Sequence, residues 1–241
     1  MTHEYSYDSY EEMIADPMWR KRLLSLNSAL LNSMKSIEEV PSLNGNLFYR
    51  HKDPEFCQND MIQRFETKRK NFFYLAKHVS TLLEVGVNGG HSLFLALSSN
   101  PLLNVIGIDV AEKLHASWAP VDKYVPAAYK WLKREFPNRC IFIKGHSLIE
   151  LPKFALENPT MTIDAIHLDG SKDTHLRELL AILPLMKKGG FAVFDDANTQ
   201  SVGKSLSQIK SLNIARPRDL SHLGIEATPG HRIFSILDAS G

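Results

Sequence analysis

The sequence predicts an α/β fold in which helices cover both faces of a mostly parallel β-sheet. From about residue 81 onward, short apolar runs alternate with helical segments, a pattern typical of parallel sheets. A glycine-rich turn follows the first of these runs, and polar residues follow the end of each predicted strand. Because ligands of such folds bind beyond the carboxyl ends of the strands, we expect a binding site there.

The glycine-rich turn is the stretch around which the chain is organised. Glu84 ends an apolar run, Gly86 and Gly90 lie in the turn, and a helix is expected by Leu93. Glycines let the backbone approach a ligand closely, and a helix N-terminus offers unpaired N–H groups. The spacing is acidic-x-Gly-x-x-x-Gly. Asn88 breaks the dinucleotide fingerprint Gly-x-Gly-x-x-Gly, which counts against a pyrophosphate ligand.

Apolar periodicity and turn residues place the other elements. The predicted strands are Thr81–Val85, Asn104–Asp109, Cys140–Lys144, Asp164–Asp169, Phe191–Asp196 and two β-type runs near 221–227 and 231–238. The predicted helices after the N-terminal segment cover about 60–78, 126–136, 148–156, 176–186 and 201–212. Thr228-Pro229-Gly230 separates the last two runs, which favours an antiparallel hairpin.

The N-terminal segment is expected to be helical after a loose acidic lead over residues 1–15. Asp16-Pro17 is a typical helix start, and Pro41 closes the segment. One helical face is apolar, formed by Trp19, Leu23, Leu26, Leu30, Met34 and Ile37. We therefore divide the chain into a helical extension or lid (1–60) and a main domain (61–241). The apolar face favours packing on that domain over a substrate lid or a dimer contact, although a homodimer formed partly by the 17–40 helix is also predicted.

Composition excludes several classes of protein. The chain has 28 basic and 27 acidic residues and a net charge of +1, which argues against a nucleic-acid partner. No run of 18 apolar residues predicts a membrane span, and the N-terminus lacks the layout of a signal peptide. Two cysteines are too few for a disulfide framework, so a reduced, cytoplasmic setting is expected.

Polar groups end the five main predicted strands. They are Glu84, Asp109, the run Gly145-His146-Ser147, Asp169, and the pair Asp195-Asp196. Each could cap the helix that follows it. Five such ends at one edge of a sheet are hard to explain by fold stability alone, and they favour a ligand site.

These motifs resemble those of the class I S-adenosylmethionine-dependent methyltransferases, over about residues 60–238. The resemblance implies a Rossmann-like, seven-stranded sheet with a C-terminal antiparallel hairpin, and S-adenosylmethionine as the cofactor. It implies that the first turn holds the methionine part of the cofactor, through Glu84, Gly86, Val87, Asn88, Gly90 and Ser92. Asp109 would bind both ribose hydroxyls, since a carboxylate accepts two hydrogen bonds. His146 and Ser147 would contact the adenine, and Asp169 would also lie against the cofactor.

A narrower resemblance links the later motifs to the metal-dependent O-methyltransferases of the catechol and antibiotic-tailoring types. These motifs are Leu168–Asp173, Leu183–Gly190 and Phe194–Asn198. By position, Asp169, Asp195 and Asp196 would hold Mg²⁺, whose preferred ligands are oxygens. The alternative is that the paired aspartates only cap a helix.

The same resemblance makes Lys172, acting beside Asp169, or else a metal-bound water, the catalytic base. A nearby Mg²⁺ and a desolvated site would lower the pKa of Lys172 toward neutrality. The alternative is a solvated surface lysine. His167 lies among apolar neighbours and is predicted to be a buried supporting residue rather than a catalytic one.

The function implied is transfer of a methyl group from S-adenosylmethionine to a hydroxyl of a small-molecule acceptor, with Mg²⁺ assistance. No nucleic-acid or membrane partner is expected. Three alternatives stay open: a metal-free class I methyltransferase acting on nitrogen or a carboxylate, an NAD-linked oxidoreductase, and a non-catalytic binding subunit that kept the fold.

Overall fold

The computed structural model describes residues 6–35, 40–58 and 60–237. Within these residues the helices alternate with strands after residue 80, as the sequence predicts. The α-helices are α1 (Tyr10–Ala15), α2 (Pro17–Met34), α3 (Glu66–Lys77), α4 (His91–Ser99), α5 (Val121–Glu135), α6 (Ser147–Glu157), α7 (His175–Ile182) and α8 (Gln200–Ser211). Short 3₁₀ turns lie at Gln63–Phe65, Leu183–Leu185 and Ser221–Leu223.

Seven strands form one mostly parallel sheet. They are β1 (Thr81–Val85), β2 (Asn104–Asp109), β3 (Cys140–Lys144), β4 (Ile163–Leu168), β5 (Met186–Asp195), β6 (Ala215–Pro217) and β7 (His231–Ile236). Their order is β3-β2-β1-β4-β5-β7-β6. β1 pairs in parallel with β2 and β4, and β4 pairs in parallel with β5, whereas β7 runs antiparallel to β5 and β6. The predicted seven-stranded, Rossmann-like fold is confirmed.

The C-terminal pairing differs in detail from the prediction. Antiparallel strands close the sheet, but the run near 221–227 is not one of them, because it contains a 3₁₀ turn followed by irregular chain. The partner of β7 on its outer side is instead β6, with Ala215 opposite Ile236. The last residue of the predicted run, Asp238, lies outside the described residues. β5 is also longer than predicted, because Gly189-Gly190 lies within the strand.

The N-terminal segment is more ordered than its composition suggests. The expected loose lead contains α1, whose N-cap Ser9 accepts a hydrogen bond from the Glu12 N–H at 3.1 Å. Asp16 caps α2 and Pro17 is its first residue, as predicted. α2 ends at Met34 rather than near residue 40, and Ile37 lies outside the described residues.

The apolar face of α2 is buried within the chain. Its buried residues include Trp19, Leu23, Leu26, Leu30 and Met34. Contacts with α5 hold the helix in place: Arg22 pairs with Glu135 at 2.6 Å, and the Trp131 indole N–H donates to Ser25 at 3.1 Å. The prediction that this face packs within the chain is confirmed. The observation that motivated a homodimer therefore no longer supports one.

Two compact units divide the chain. The first, here the helical unit, comprises the described residues within Met1–Lys77, Val87–Leu103 and Ala111–Cys140. The second, here the sheet unit, comprises those within His78–Gly86, Asn104–Val110 and Ile141–Gly241. Among the described residues, no helix combines the length and the apolar character that crossing a bilayer requires.

The two faces of the sheet differ in chemistry. Alternate strand residues, such as Leu83, Ile166 and Phe194, join the apolar core of the sheet unit with side chains from α6, α7 and α8. Side chains alternate between the two faces along each strand. The intervening positions of the central strands, Glu84 and His167 among them, therefore face the other way, and the register pairs these two residues.

Candidate functional site

Gly86 begins the turn after β1 and lies against the neighbouring strand. Its φ of +85° falls in the left-handed region, and its N–H donates to the Ile108 carbonyl at 2.9 Å. A Cβ at this position would lie 2.7 Å from the carbonyl carbon and oxygen of Asp169. Only glycine fits such a close approach of two backbones. The glycine that the sequence predicts in this turn is therefore sterically required at position 86.

The rest of the turn belongs to the helical unit. Asn88 and Gly90 have positive φ values of 53° and 73°, and the Gly90 N–H donates to the Val87 carbonyl at 2.9 Å. α4 starts directly afterwards with no side-chain cap at its N-terminus. Val87 and Ser92 are buried. The turn thus leads into a helix N-terminus that has no capping side chain. Such a terminus suits an anion or a polar ligand.

The ends of β2 and β3 are joined by backbone. The Gly145 N–H donates to the Asp109 carbonyl at 2.9 Å, and Asp109 itself is half-buried. His146 is exposed and caps α6 by accepting from the Leu148 N–H at 3.3 Å. This cap is the structural alternative that the sequence left open. The predicted adenine-contacting residues therefore adjoin Asp109, as the strand-end argument expects.

Ser147 has a buried partner that the sequence analysis missed. Its hydroxyl donates to Glu178 Oε1 at 2.6 Å, and the Thr174 hydroxyl donates to the same oxygen at 2.9 Å. Glu178 is fully buried, on α7. The sequence held no signal for this contact, since a glutamate in an amphipathic helix is usually solvated. The orientation of the Ser147 hydroxyl is thereby fixed by a buried glutamate.

Glu84 and His167 form a buried pair. Glu84 Oε1 lies 2.6 Å from His167 Nδ1, and the two side chains are 0% and 1% exposed. Burial by itself lowers the pKa of His167, but the hydrogen bond to Glu84 and the nearby carboxylates outweigh it, so the pKa is raised. His167 is thus buried, as predicted, and its role as a supporting residue stays a prediction. Glu84 lies against this histidine, and its predicted contact with a cofactor stays a prediction.

Lys172 lies among the aspartates that end β4 and β5. Its Nζ lies 2.7 Å from Asp169 Oδ1 and 3.2 Å from Asp196 Oδ2. Burial alone lowers the pKa of Lys172, yet the carboxylates of Asp169, Asp195 and Asp196 raise it above its ordinary value. Without a cation, the three negative charges outweigh the desolvation of the Lys172 ammonium. The lowered pKa, which was expected beside Mg²⁺, stays a prediction.

A cluster that could hold a metal forms at the same strand ends, with a different membership from the prediction. One ligand atom each of His167, Asp169 and Asp195 lies within 4.8 Å of the others. Asp169 and Asp195 follow or end neighbouring strands, as expected. Asp196 is outside this set, with a half-exposed side chain and a φ of +50°. Sequence reasoning treated the histidine only as a buried neighbour.

His231 is another histidine at these strand ends, and the sequence analysis did not single it out. It lies opposite Asp195 in the β5–β7 register, and its ring centroid is 5.7 Å from that of His167. It is 2% exposed. The sequence could have indicated this residue only through the register of an antiparallel strand pair. The predicted hairpin instead paired the 231–238 run with the run near 221–227.

Comparison with known proteins agrees with the fold described above. A family model described as a methyltransferase domain matches residues 83–197. The matched segment contains every strand-end residue named above from Glu84 to Asp196. The fold and the matched segment bear out the resemblance to the class I methyltransferases. Residues 83–197 are the part of the chain that matches a methyltransferase domain. No curated protein sequence is similar enough to count as a match.

Solved structures share the fold at low sequence identity. A TDP-rhamnose 3′-O-methyltransferase of calicheamicin biosynthesis is 20% identical, with a TM-score of 0.55 over 91% of this chain and 95% of that chain. An O-methyltransferase from Bacillus cereus, in complex with S-adenosylhomocysteine, is 15% identical, with a TM-score of 0.56 over 99% and 100%. TomG from Streptomyces achromogenes, an O-methyltransferase of tomaymycin synthesis in complex with S-adenosylmethionine, is 16% identical, with a TM-score of 0.53 over 89% and 90%.

Proposed function

We propose that the protein transfers a methyl group from S-adenosylmethionine to a hydroxyl of a small-molecule acceptor. The observation that carries this proposal is the methyltransferase-domain match, which spans the glycine turn and all the strand-end carboxylates. Two proteins with the same fold bind S-adenosylmethionine or S-adenosylhomocysteine. Bound S-adenosylmethionine would supply an electrophilic methyl group on its sulfonium, so the protein mainly has to position and deprotonate the acceptor.

The residues proposed for the cofactor are those at the turn and at the next two strand ends. Asp109 is assigned to the ribose, because a half-buried carboxylate can accept hydrogen bonds from two adjacent hydroxyls. The N–H groups that begin α4, with Gly86 and Gly90, are assigned to the methionine part. His146 and Ser147, which begin α6, are assigned to the adenine. The close backbone approach at Gly86 supports its assignment, since a side chain there would block a ligand as well as the strand.

The donors at the ends of β4 and β5 fit a divalent cation. Asp169 and Asp195 offer carboxylate oxygens, which Mg²⁺ prefers, and His167 offers an imidazole nitrogen, which suits Mn²⁺ or Zn²⁺ better. Since Glu84 engages Nδ1 of His167, the other ring nitrogen is the one that can ligate, in the manner of carboxylate-oriented metal histidines. We propose that Asp169 and Asp195 hold the ion, with Asp196 or His167 as the third protein ligand. A bound cation would lower the pKa of the acceptor hydroxyl.

Lys172 and Asp169 are the proposed catalytic residues. The 2.7 Å contact orients the Lys172 ammonium through the Asp169 carboxylate. Lys172 can accept a proton only in its neutral form, which the three carboxylates disfavour. A cation that shares these carboxylates would weaken their pull on the lysine. Whether Lys172 can act as the base therefore depends on how the charge of the three carboxylates is neutralised.

The position of Lys172 also favours a second candidate, a metal-free methyltransferase. Its ammonium already lies between Asp169 and Asp196 and balances part of their charge, so close carboxylates do not by themselves require a metal. Such an enzyme would act on an acceptor that needs no metal for activation, such as an amine or a carboxylate.

Calorimetry with S-adenosylhomocysteine tests the cofactor assignment. Asp109→Ala is expected to weaken binding by about 1.5–3 kcal/mol, the loss of charge-assisted hydrogen bonds. Asp219→Ala removes an exposed carboxylate elsewhere in the same unit and serves as the matched control. Unchanged affinity in a folded Asp109 variant would remove this residue from the site, and absence of binding to the wild-type protein would overturn the proposed function.

Metal titration separates the two candidates. With a required cation, Asp169→Asn loses transfer activity while S-adenosylhomocysteine affinity largely survives. The thermal midpoint of the wild type then rises with added Mg²⁺ or Mn²⁺, because a ligand that binds only the native state stabilises it. Asp173→Asn, which alters an exposed carboxylate of the same loop, controls for general charge effects. If neither EDTA nor added cations change activity or midpoint, the metal-free candidate takes the place of the metal-assisted one.

A further inference from the structure

The Asn88 side chain in the glycine-rich turn is held at both ends by other parts of the helical unit. The Tyr124 hydroxyl of α5 donates to Asn88 Oδ1 at 2.6 Å. The Asn88 Nδ2 donates to the carbonyl oxygen of Gly45 at 2.7 Å. Both polar ends of the amide are thus bound by protein groups. Its side chain therefore holds protein segments together, in addition to any part the turn has in binding a ligand.

Tyr124 and Asn88 bind a closed loop, here called the Asn44 loop (residues 43–52). The loop is closed by the Lys52 N–H, which donates to the Leu43 carbonyl at 2.7 Å. The Asn44 N–H donates to the Tyr124 hydroxyl at 3.3 Å, and Asn44 Oδ1 accepts from the Ala119 N–H at 3.2 Å. One tyrosine hydroxyl therefore contacts both the Asn44 loop and the turn residue Asn88.

The backbone conformation of Asn88 gives these side-chain hydrogen bonds a stabilising role. Its φ of 53° lies in the left-handed region, which asparagine adopts more readily than most residues but still at a cost. Side-chain bonds to Tyr124 and Gly45 offset that cost and fix the direction of the N–H groups that follow. The same bonds hold the Asn44 loop in place.

We propose that Asn88 and Tyr124 are positioning residues that couple the Asn44 loop to cofactor binding. The inference rests on the proposed function, which assigns the turn at 86–90 to S-adenosylmethionine. A ligand that selects this turn conformation stabilises the loop that shares its hydrogen bonds, and by linkage an ordered loop strengthens ligand binding equally. The segment before residue 60 is then part of the binding response and not only a packed extension.

Limited proteolysis measures the coupling directly. Trypsin can cleave after Arg50 and Lys52, which are exposed in the Asn44 loop. S-adenosylhomocysteine is expected to slow cleavage at both sites severalfold in the wild type, and to have no such effect in Tyr124→Phe. Cleavage after Arg218, which is exposed in the sheet unit, is the internal control and should not change.

A mutant cycle separates coupling from plain structural support. Asn88→Gly keeps access to a positive φ but removes the amide, and Tyr124→Phe removes only the hydroxyl. Each removes the hydrogen bond between the two residues and one bond to the Asn44 loop, and is expected to weaken S-adenosylhomocysteine binding about 5- to 10-fold. The double variant should lose no more than about this amount, because the two residues act as one unit. Tyr74→Phe, which removes a hydroxyl that is not part of this contact, should bind as the wild type does.

The outcomes distinguish the two levels of the proposal. A wild-type protein that does not bind S-adenosylhomocysteine contradicts the proposed function. A wild type that binds, with Tyr124→Phe and Asn88→Gly binding equally well, overturns the coupling and leaves the function standing. Variants with a lower thermal midpoint but unchanged affinity and unchanged protection of the loop also overturn it, since that is the signature of structural support alone.

Discussion

His91 in the helical unit and His167 in the sheet unit are both almost completely buried, and they differ in their partners. In the helical unit, His91 Nε2 lies 2.8 Å from Asn27 Oδ1, and its ring packs 5.6 Å from the rings of Phe48 and Tyr49. In the sheet unit, His167 pairs with the Glu84 carboxylate at 2.6 Å. Burial lowers the pKa of His91 to about 3, whereas that of His167 is raised.

The difference lies in the charge of the partner and not in the depth of burial. A neutral amide can accept one hydrogen bond from His91 but stabilises an imidazolium far less than a carboxylate does, so desolvation decides. The Glu84 carboxylate at 2.6 Å favours the protonated form of His167 enough to reverse that outcome. Around His91 the helical unit therefore uses a neutral network that fixes geometry. The sheet unit gathers charge at its strand ends, where the proposed group transfer would need it.

The largest effect is expected from breaking the charged pair on one side only. Glu84→Leu should lower the free energy of unfolding by about 3 kcal/mol, because it leaves His167 buried beside an apolar group. The double variant Glu84→Leu with His167→Phe should recover to within about 1 kcal/mol of the wild type, since replacing both partners removes the desolvation penalty as well. Urea unfolding of the three proteins measures both values. A single variant as stable as the wild type would show that the pair does not act as argued.

A smaller loss is expected from the neutral network. Asn27→Ala removes the acceptor for His91 Nε2 and the donor that Asn27 Nδ2 provides to the Tyr49 hydroxyl at 2.7 Å. We expect about 2 kcal/mol of destabilisation, the cost of leaving buried polar groups without partners. Asn32→Ala, at an exposed position of the same helix, should stay within about 0.5 kcal/mol. An equal effect of the two substitutions would refute the network.

The smallest effect is a pH dependence carried by His91. Its folded-state pKa of about 3 lies below the ordinary value of 6.5, so the unfolded chain binds a proton that the native protein does not. Stability is therefore lost as the pH falls below about 6.5, by about 1 kcal/mol between about pH 6 and pH 5. His91→Gln, which cannot titrate, should show a shallower decline by that amount. Urea unfolding at the two pH values tests this, and parallel declines would mean that His91 is not the group responsible.

Local signals were sufficient for the parallel half of the sheet. β1, β2 and β3 have the predicted limits, because each is an apolar run bounded by turn residues. The predicted strand near 221–227 is wrong, since periodicity cannot show that a 3₁₀ turn lies within such a short run. α1 was missed for a related reason: its two buried residues are too few to reveal a helical period.

The site was predictable in its location and not in its pairings. Asp109, Asp169 and Asp195 end or follow strands, and the rule for parallel sheets places them at one edge without further information. Glu84 meets His167 only because β1 and β4 are neighbours, and the sequence does not specify that register. Asn88 and Tyr124 come from segments far apart along the chain, so their hydrogen bond was beyond any local pattern.

The strand order has a consequence for how the chain folds during synthesis. β1 lies at the centre of the sheet, yet its partner β4 ends only at Leu168, and β5 lacks its outer neighbour until His231–Ile236 emerges. Pairings between strands so far apart in sequence form slowly, because the loop between them must be closed first. A nascent chain that stops before β4 leaves one edge of β1 unpaired, which is a template for aggregation. Folding of the sheet unit is thus completed only after β7 has left the ribosome.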